Sequence, residues 1–379
     1  QEKDYVQSEA NLKKSIELEP EFVAALNDLA ALYETQKKYG QAEKTYREIM
    51  KLQPHGNLAR ARLGRLYLKA NRPEDAKLIF KEIVDRAMDT EKAHIEIGLI
   101  YFQQKKYDEA IERFRLALTR NPDNDRVRYF LGSAYEEKEQ LESAVQEFKR
   151  IKQGSPLFVD SRQHLSYLLG ELERFDEAIN MLKEAIESSP KKASLYLALS
   201  ALYETDGRLP QAKATLEKGL EIKPKSVALN FRLGVILDKM GDKAGTIRQM
   251  KQAIDLDPKN ADAVNYLAYT WADMGQNLEE ALELAHRADR LKPDNGYITD
   301  TVAWVYFKMG NFPKALKYIE RAADLLPQDP VINEHLGDVY AKAGQRRKAL
   351  DIYLKVKKLG PEDKARLNKK IENLRNILE

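Results

Sequence analysis

The sequence predicts an all-α protein built as one array of stacked helical hairpins. Three observations predict it. First, ten prolines sit on a ruler: Pro20, Pro54, Pro122, Pro156, Pro190, Pro224, Pro258, Pro293, Pro327 and Pro361. Their spacing is 34 residues or twice that, with a single step of 35, and Met88 stands in the one vacant slot. A fixed period of this size marks a repeat architecture rather than a globular enzyme. Second, the same residue types recur in the same columns when the units are superposed. Third, the columns carry helical spacing, with turn signals between them.

Ten units start at residues 23, 57, 91, 125, 159, 193, 227, 261, 296 and 330. Columns four, seven, eight and eleven read as one apolar stripe on a first helix. Column seven runs from Leu29 and Leu63 to Val302 and Leu336. Column eight is small throughout, as at Ala30, Gly64, Gly98, Gly132 and Gly337. Column eleven is mostly aromatic, as at Tyr33, Tyr67, Tyr101, Trp271 and Tyr340. Columns twenty, twenty-four and twenty-seven form a second stripe on a second helix, with alanine at column twenty everywhere except Thr246. Small residues at eight and twenty let the two backbones approach.

Turns fall at Tyr39-Gly40, Asn71-Arg72-Pro73, Asp206-Gly207, Gly241-Asp242 and Gly310-Asn311. Pro73, Pro210 and Pro313 lie at the first turn of a second helix, where a missing N–H does no harm. The proline at column thirty-two ends that helix. The extra residue of the 35-residue step falls near Gln276 and Asn277, in a turn that tolerates insertion.

The array is predicted to span 1–379 as a single solenoid: a half repeat over 1–22, ten units over 23–363 and a capping helix over 364–379. The half repeat reads as the second helix of a hairpin, with Leu12 and Ser15 in columns twenty-four and twenty-seven. Beginning at Gln1, directly in helical sequence, the chain reads as an internal fragment or processed product with further repeats upstream. The closing helix carries Leu367, Ile371, Leu374 and Leu378 on one face and charge on the other.

The L-G-x2-Y, A-x3-F and P signature, repeated in register, resembles the tetratricopeptide repeat family. That resemblance implies a right-handed superhelix of stacked hairpins whose first helices line an inner groove. It further implies that columns two, five, six, nine, twelve and thirteen face that groove. In repeats eight and nine these columns hold Asn265, Tyr266, Tyr269, Asp273, Tyr297, Asp300, Thr301, Trp304 and Phe307. Aromatics dominate binding hot spots, so this cluster is the first candidate for a partner site. The competing reading packs the same rings between repeats, Trp304 above all. Tyr129, Phe130 and Tyr167 form a secondary candidate.

Composition narrows the function further. Net charge is +3, hydrophobic residues make up 43% and charged residues 32%. No global field recruits nucleic acid, and no run approaches the roughly 18 apolar residues of a membrane helix. Cysteine is absent, which removes disulfides and thiolate chemistry. The five histidines are scattered. Glu334, His335 and Asp338 share one helical turn, but a solvated face accounts for them better than a metal. Column five has no lysine and column nine no asparagine, so the family's carboxylate clamp is not expected. Residues 342–379 carry twelve Lys or Arg against five Asp or Glu, a net of +7. A soluble cap helix explains this basic end better than a lipid or nucleic-acid contact.

The predicted function is a non-catalytic scaffold, with no cofactor and no metal, that holds a partner's peptide or helix in the groove. The stretches NYLAYTWADMG and EHLGDVYAKAG resemble repeat proteins of bacterial envelopes, which work in secretion or polysaccharide export. A periplasmic or envelope setting is expected on that ground, with the cytoplasm as alternative. The alternative function is a regulatory or targeting arm of a larger enzyme. Homo-oligomerisation through the exposed first hairpin is a further expectation.

Overall fold

The computed structural model describes residues 2–86, 90–361 and 363–378, with side chains from Tyr5 onward. Met88, in the vacant proline slot, lies outside the described residues. Twenty-two α-helices are the regular elements among these residues. The first, α1, spans Glu2–Leu18. Repeats one to three follow as α2 (Val23–Thr35) and α3 (Tyr39–Leu52), α4 (Leu58–Lys69) and α5 (Pro73–Arg86), then α6 (Glu91–Gln103) and α7 (Tyr107–Arg120). Repeats four to six are α8 (Asp125–Glu137) and α9 (Leu141–Lys149), α10 (Phe158–Glu171) and α11 (Phe175–Ser188), then α12 (Ala193–Thr205) and α13 (Leu209–Ile222). Repeats seven and eight are α14 (Val227–Lys239) with α15 (Lys243–Leu256), and α16 (Ala261–Met274) with α17 (Leu278–Leu291). Repeats nine and ten are α18 (Gly296–Lys308) with α19 (Phe312–Leu325), and α20 (Pro330–Lys342) with α21 (Arg346–Leu359). The last helix, α22, spans Lys364–Leu378. No helix among the described residues is long and apolar enough to cross a membrane.

The chain divides inside α11, between Met181 and Leu182, into two compact units. In each, successive helices pack as antiparallel hairpins, and each hairpin packs on the next.

Five hairpins close on one insertion. Where column eight is glycine it leaves a hole, and the large side chain at column twenty-four fills it. A Cβ on Gly98 would lie 2.6 Å from the Phe114 ring, and one on Gly132 would lie 3.0 Å from that of Phe148. The same relation joins Gly64 to Phe80, Gly337 to Tyr353 and Gly234 to the Met250 methyl, the last at 2.7 Å. Phe80, Phe114, Phe148 and Met250 are wholly buried. The glycines thus accommodate a side chain as well as a backbone. Thr246, the exception at column twenty, is also buried, and its hydroxyl donates across the hairpin to the Gly234 carbonyl at 3.2 Å.

The turn between the two helices needs a left-handed residue at column fifteen of every repeat. In repeats six to ten this is Gly207, Gly241, Gly275, Gly310 and Gly344. In repeats one to five it is Lys37, Asn71, Lys105, Glu139 and Glu173, at φ between 56° and 58°. The extra residue of repeat eight lies in this same turn, where Asn277 takes a second left-handed position at φ 48°. Pro73 opens α5, while Pro210 and Pro313 are second in α13 and α19. Where a proline occupies column thirty-two, the second helix ends two residues before it, with α9 as the exception.

Column four corrects the sequence reading. It is buried, but it is largely polar: Arg60, His94, Asn230 and Asn333 are among its buried members. The Arg60, Asn230 and Asn333 side chains turn back to the loop that enters their own helix. Arg60 donates to the Gly56 carbonyl at 2.7 Å, Asn230 to Ser226 at 2.8 Å and Asn333 to Asp329 at 2.6 Å. Loop carbonyls that the stacked hairpins screen from water therefore gain partners.

The position of α1 matches that of α3 one period earlier. Tyr33 donates to Glu9 at 3.1 Å as Tyr67 donates to Glu43 at 2.7 Å. Lys38 and Lys13 pair with Glu9 as Arg72 and Arg47 pair with Glu43. At the other end, α22 buries Leu367, Ile371 and Leu374, whereas Leu378 is 39% exposed.

Gly98→Leu should cost about 1–3 kcal/mol in urea denaturation, because the hole it fills belongs to Phe114. Glu139→Gly should instead stabilise by about 1 kcal/mol, since it relieves a left-handed residue that carries a Cβ. Equal stabilities for wild type and both variants would contradict this account of the hairpin.

Candidate functional site

The first-helix face that carries the candidate residues is internally bonded. A side chain at column six reaches back to column five or twelve of the preceding repeat. Arg62 donates to Asn27 at 2.8 Å, Tyr266 donates to Asp238 at 3.0 Å, and Arg232 pairs with Glu204. A lysine at column thirteen does the same: Lys69 reaches Glu34 at 2.9 Å and Lys239 reaches Glu204 at 2.7 Å. Much of the polar chemistry on this face thus registers one hairpin on the next.

The candidates of repeats eight and nine divide by burial. α16, α18 and α20 are fixed at their starts by Asn260, Asn295 and Asp329, whose side chains accept from first-turn N–H groups. Asp300 and Thr301 leave the exposed wall: they are 6% and 2% exposed. The Thr301 hydroxyl donates to the Tyr297 carbonyl at 3.1 Å. Asp300 accepts from Nδ1 of His335 at 2.9 Å. Asn265, Tyr266, Tyr269, Trp304 and Phe307 are half-buried, while Asp273 and Tyr297 are exposed.

The rings form a stack. Trp304 lies flat against His335 at 4.1 Å between centroids and against Phe307 at 4.8 Å. Lys308 sits over the Trp304 ring at 5.2 Å. Trp304, Phe307 and Tyr266 also pack against the buried core of their unit. Packing thus occupies much of these rings: Trp304 has His335 and Phe307 stacked on it and Lys308 over it, while Tyr266, Tyr269, Trp304 and Phe307 each keep part of their surface exposed.

Residues not chosen from the sequence complete the site. A cavity of about 270 Å³ is lined by Tyr269, Asp273, Trp304, Glu334, His335 and Asp338, together with Arg366 and Lys370 of α22. Lys370 bridges Glu334 at 2.8 Å and Asp338 at 2.7 Å. Arg366 pairs with Glu334 at 2.9 Å, and Tyr353 donates to Asp338 at 2.5 Å. The acidic turn of α20 is thus bound to the closing helix and to Asp300, and part of the basic end is balanced inside its own unit. The helical spacing of Glu334, His335 and Asp338 was readable, but partners more than 30 residues away were not.

In repeats four and five, Tyr129 and Phe130 are half-buried and Tyr167 is 60% exposed. The Tyr129 hydroxyl is 2.9 Å from Nε2 of His164, whose Nδ1 is 2.7 Å from Glu136. His164 stacks on Phe148 at 5.0 Å. The structure places these groups together, with Tyr167 outside their bonds.

His335 titrates abnormally. Burial, the largest single influence, opposes its charging, but the charge and hydrogen bond of Asp300 together with Asp338 raise its pKa above the ordinary 6.5. Lys370 opposes the rise. A histidine pKa raised by folding contributes stability fully present below the unfolded value, about 6.5, and lost as pH rises through the folded one. Wild type should therefore lose denaturation free energy above about pH 6.5 relative to His335→Gln. Parallel pH profiles for the two proteins would contradict this.

Two models described as tetratricopeptide repeat match the chain, one over residues 101–157 and 171–232, the other over 27–91, 61–125, 231–296 and 303–364. No curated protein matches. Among solved structures, a tetratricopeptide repeat protein from Parabacteroides merdae is similar at 16% identity and TM-score 0.54, over 66% of this chain and 99% of that one. The Cut9-Hcn1 hetero-tetramer is similar at 14% identity and TM-score 0.51, over 100% of this chain and 88% of that one. MamA from Desulfovibrio magneticus aligns over 44% of this chain and 94% of that one, at 18% identity and TM-score 0.39. At these identities the likeness to the structures is one of fold. The matched models cover most of the sequence in register with the proline ruler, and the chain belongs to the tetratricopeptide repeat family.

Proposed function

We propose that this tetratricopeptide scaffold holds a partner's peptide or helix against the first-helix face of repeats eight to ten. The observation that carries the reading is the Phe307–Trp304–His335 stack, fixed from below by Asp300 and bordered by exposed Tyr297 and Asp273. Rings already held in place lose little side-chain entropy on binding, which is what an efficient contact surface requires. The neighbouring carboxylates already have cations, so the partner gains most from apolar contact and directional hydrogen bonds. The single array, 1–379, and a setting in bacterial envelope assembly are parts of this proposal. The envelope setting rests on the sequence resemblance.

The test uses the exposed members, because Trp304 is tied to the core. A photo-reactive residue at position 297, introduced in the native cell, should cross-link a discrete partner identifiable by mass spectrometry. Tyr297→Ala combined with Asp273→Lys should weaken that partner's binding to the purified chain by about tenfold. Stability should stay within about 0.5 kcal/mol of wild type, as for other surface changes. Undiminished binding by the folded double variant would overturn the site.

A further inference from the structure

Repeat four breaks the pattern of the array. Its second helix, α9, has nine residues, whereas the second helix of every other repeat has fourteen. Lys152-Gln153-Gly154-Ser155 replaces the final turn before Pro156. Arg162 holds the shortened end by donating to the Phe148 and Ile151 carbonyls, both at 3.0 Å. Ile151, at column twenty-seven, stays buried although it lies outside the helix.

The missing turn leaves a cleft of about 660 Å³ between α8 and the loop that enters α10. Tyr129, Phe130, Pro156 and Leu157 supply its apolar lining. Two of these walls are already rigid. Tyr129 is tied to His164 and packs edge-on against Phe148 at 5.5 Å, while Phe130 stacks on Phe114 at 5.9 Å. A volume of several hundred Å³ with aromatic sides suits a large side chain.

The rim carries the charge. Lys152 is paired with Asp123 at 2.8 Å. Arg126 is exposed, has no ion pair among the described residues, and sits over the Phe130 ring at 5.9 Å. It lies in the first turn of α8, where a cation opposes the helix dipole. Asp125 stands beside it in the same turn and also lines the cleft, but no ion pair joins the two among the described residues, so Arg126 is the rim cation open to a ligand carboxylate.

We infer that this cleft is a second docking site, in the unit that ends at Met181, for a partner peptide with an aromatic or large aliphatic residue followed by an acidic one. The apolar side chain fills the space that the missing turn leaves, and the carboxylate pairs with Arg126. The site has its own residues and stands or falls apart from the surface of repeats eight to ten.

The experiment measures fluorescence anisotropy of the labelled peptide Ser-Gly-Trp-Glu-Glu-Gly-Ser with the full chain. Two control peptides replace Trp by Ala, or both Glu by Lys. The Trp-Glu peptide should bind at least about tenfold more tightly than either control. Arg126→Glu should reverse the preference, so that the Trp-Lys peptide binds better than the Trp-Glu peptide. Gly154→Trp adds bulk to the cleft wall, and the Cβ it introduces meets nothing within 4 Å; it should weaken the Trp-Glu peptide at least tenfold. Circular dichroism confirms that both variants are folded. Failure of the Trp-Glu peptide to bind, or binding indifferent to Trp and to Arg126, would overturn the inference.

Discussion

A side chain seated over a bare stretch of backbone holds the hairpin shut in repeats two, three, four, seven and ten, and much of the structure depends on that contact. The two helices of a repeat approach because column eight has little or no side chain. Column twenty-four presents a ring, a thioether or a branched chain there in every repeat but the eighth, where Ala268 and Ala285 are both small. Burying a side chain such as Phe114 contributes about 1.5–3 kcal/mol, and the array repeats the contact rather than relying on one large core. The geometry also explains the turn. Two helices held this closely must be joined by a short link, and that link requires a left-handed residue at column fifteen. The requirement is strong enough to hold Lys37, Lys105, Glu139 and Glu173 there, although each carries a Cβ.

Stacking then determines where polar groups go. A hairpin has two faces to bury, and loop carbonyls are covered along with the apolar stripes. Column four supplies donors to those carbonyls, so a buried arginine or asparagine at this position belongs to the packing. On the first-helix face, columns six and thirteen connect each hairpin to the one before. The groups that look most like hooks for a ligand are often these connecting groups. Tyr266, Arg62 and Lys69 each reach a partner in the preceding repeat. Groups that the ladder leaves over include Tyr167 and Arg126, whereas exposed Asp273 pairs with Lys243 at 3.7 Å and Tyr297 hydrogen-bonds to Asp329.

Much of this was legible in the sequence, and the limits have physical causes. The ruler located the ends of the second helices because proline excludes helix from the residue before it. Columns seven, eight and twenty were legible because one side-chain size dominates each, and columns eleven and twenty-four because most of their members are large and apolar or aromatic. Column four was misread because helical spacing reports burial, and burial does not require an apolar residue when a carbonyl lies within reach. The non-glycine residues at column fifteen were missed because tertiary closure imposes their conformation against local preference. Asp300 and Thr301 shared a helix face with exposed residues in projection, but both are buried, Asp300 against His335 of the neighbouring α20. His335, Lys370 and Arg366 entered the site from the following helices, which a reading confined to repeats eight and nine did not reach.

A strictly periodic array would present the same surface in every repeat and could not discriminate among partners. Recognition has to come from departures that leave the closing contact intact. Repeat four keeps Gly132 under Phe148 and keeps Pro156 on the ruler, yet it gives up the last part of its second helix. Repeats eight to ten keep Ala268, Ala303 and Gly337 at column eight while placing Trp304 and His335 in a stack on the first-helix face. Repeats four and ten still close on a ring seated over glycine, and repeat eight closes on the small buried residues Ala268, Ala281 and Ala285, so variation on the first-helix face leaves the hairpin contacts in place. The separation is possible because column eight and column twenty-four lie between the helices, while columns two, five, six and nine belong to the first helix alone. One set of positions holds the fold, and the other is free to differ from repeat to repeat.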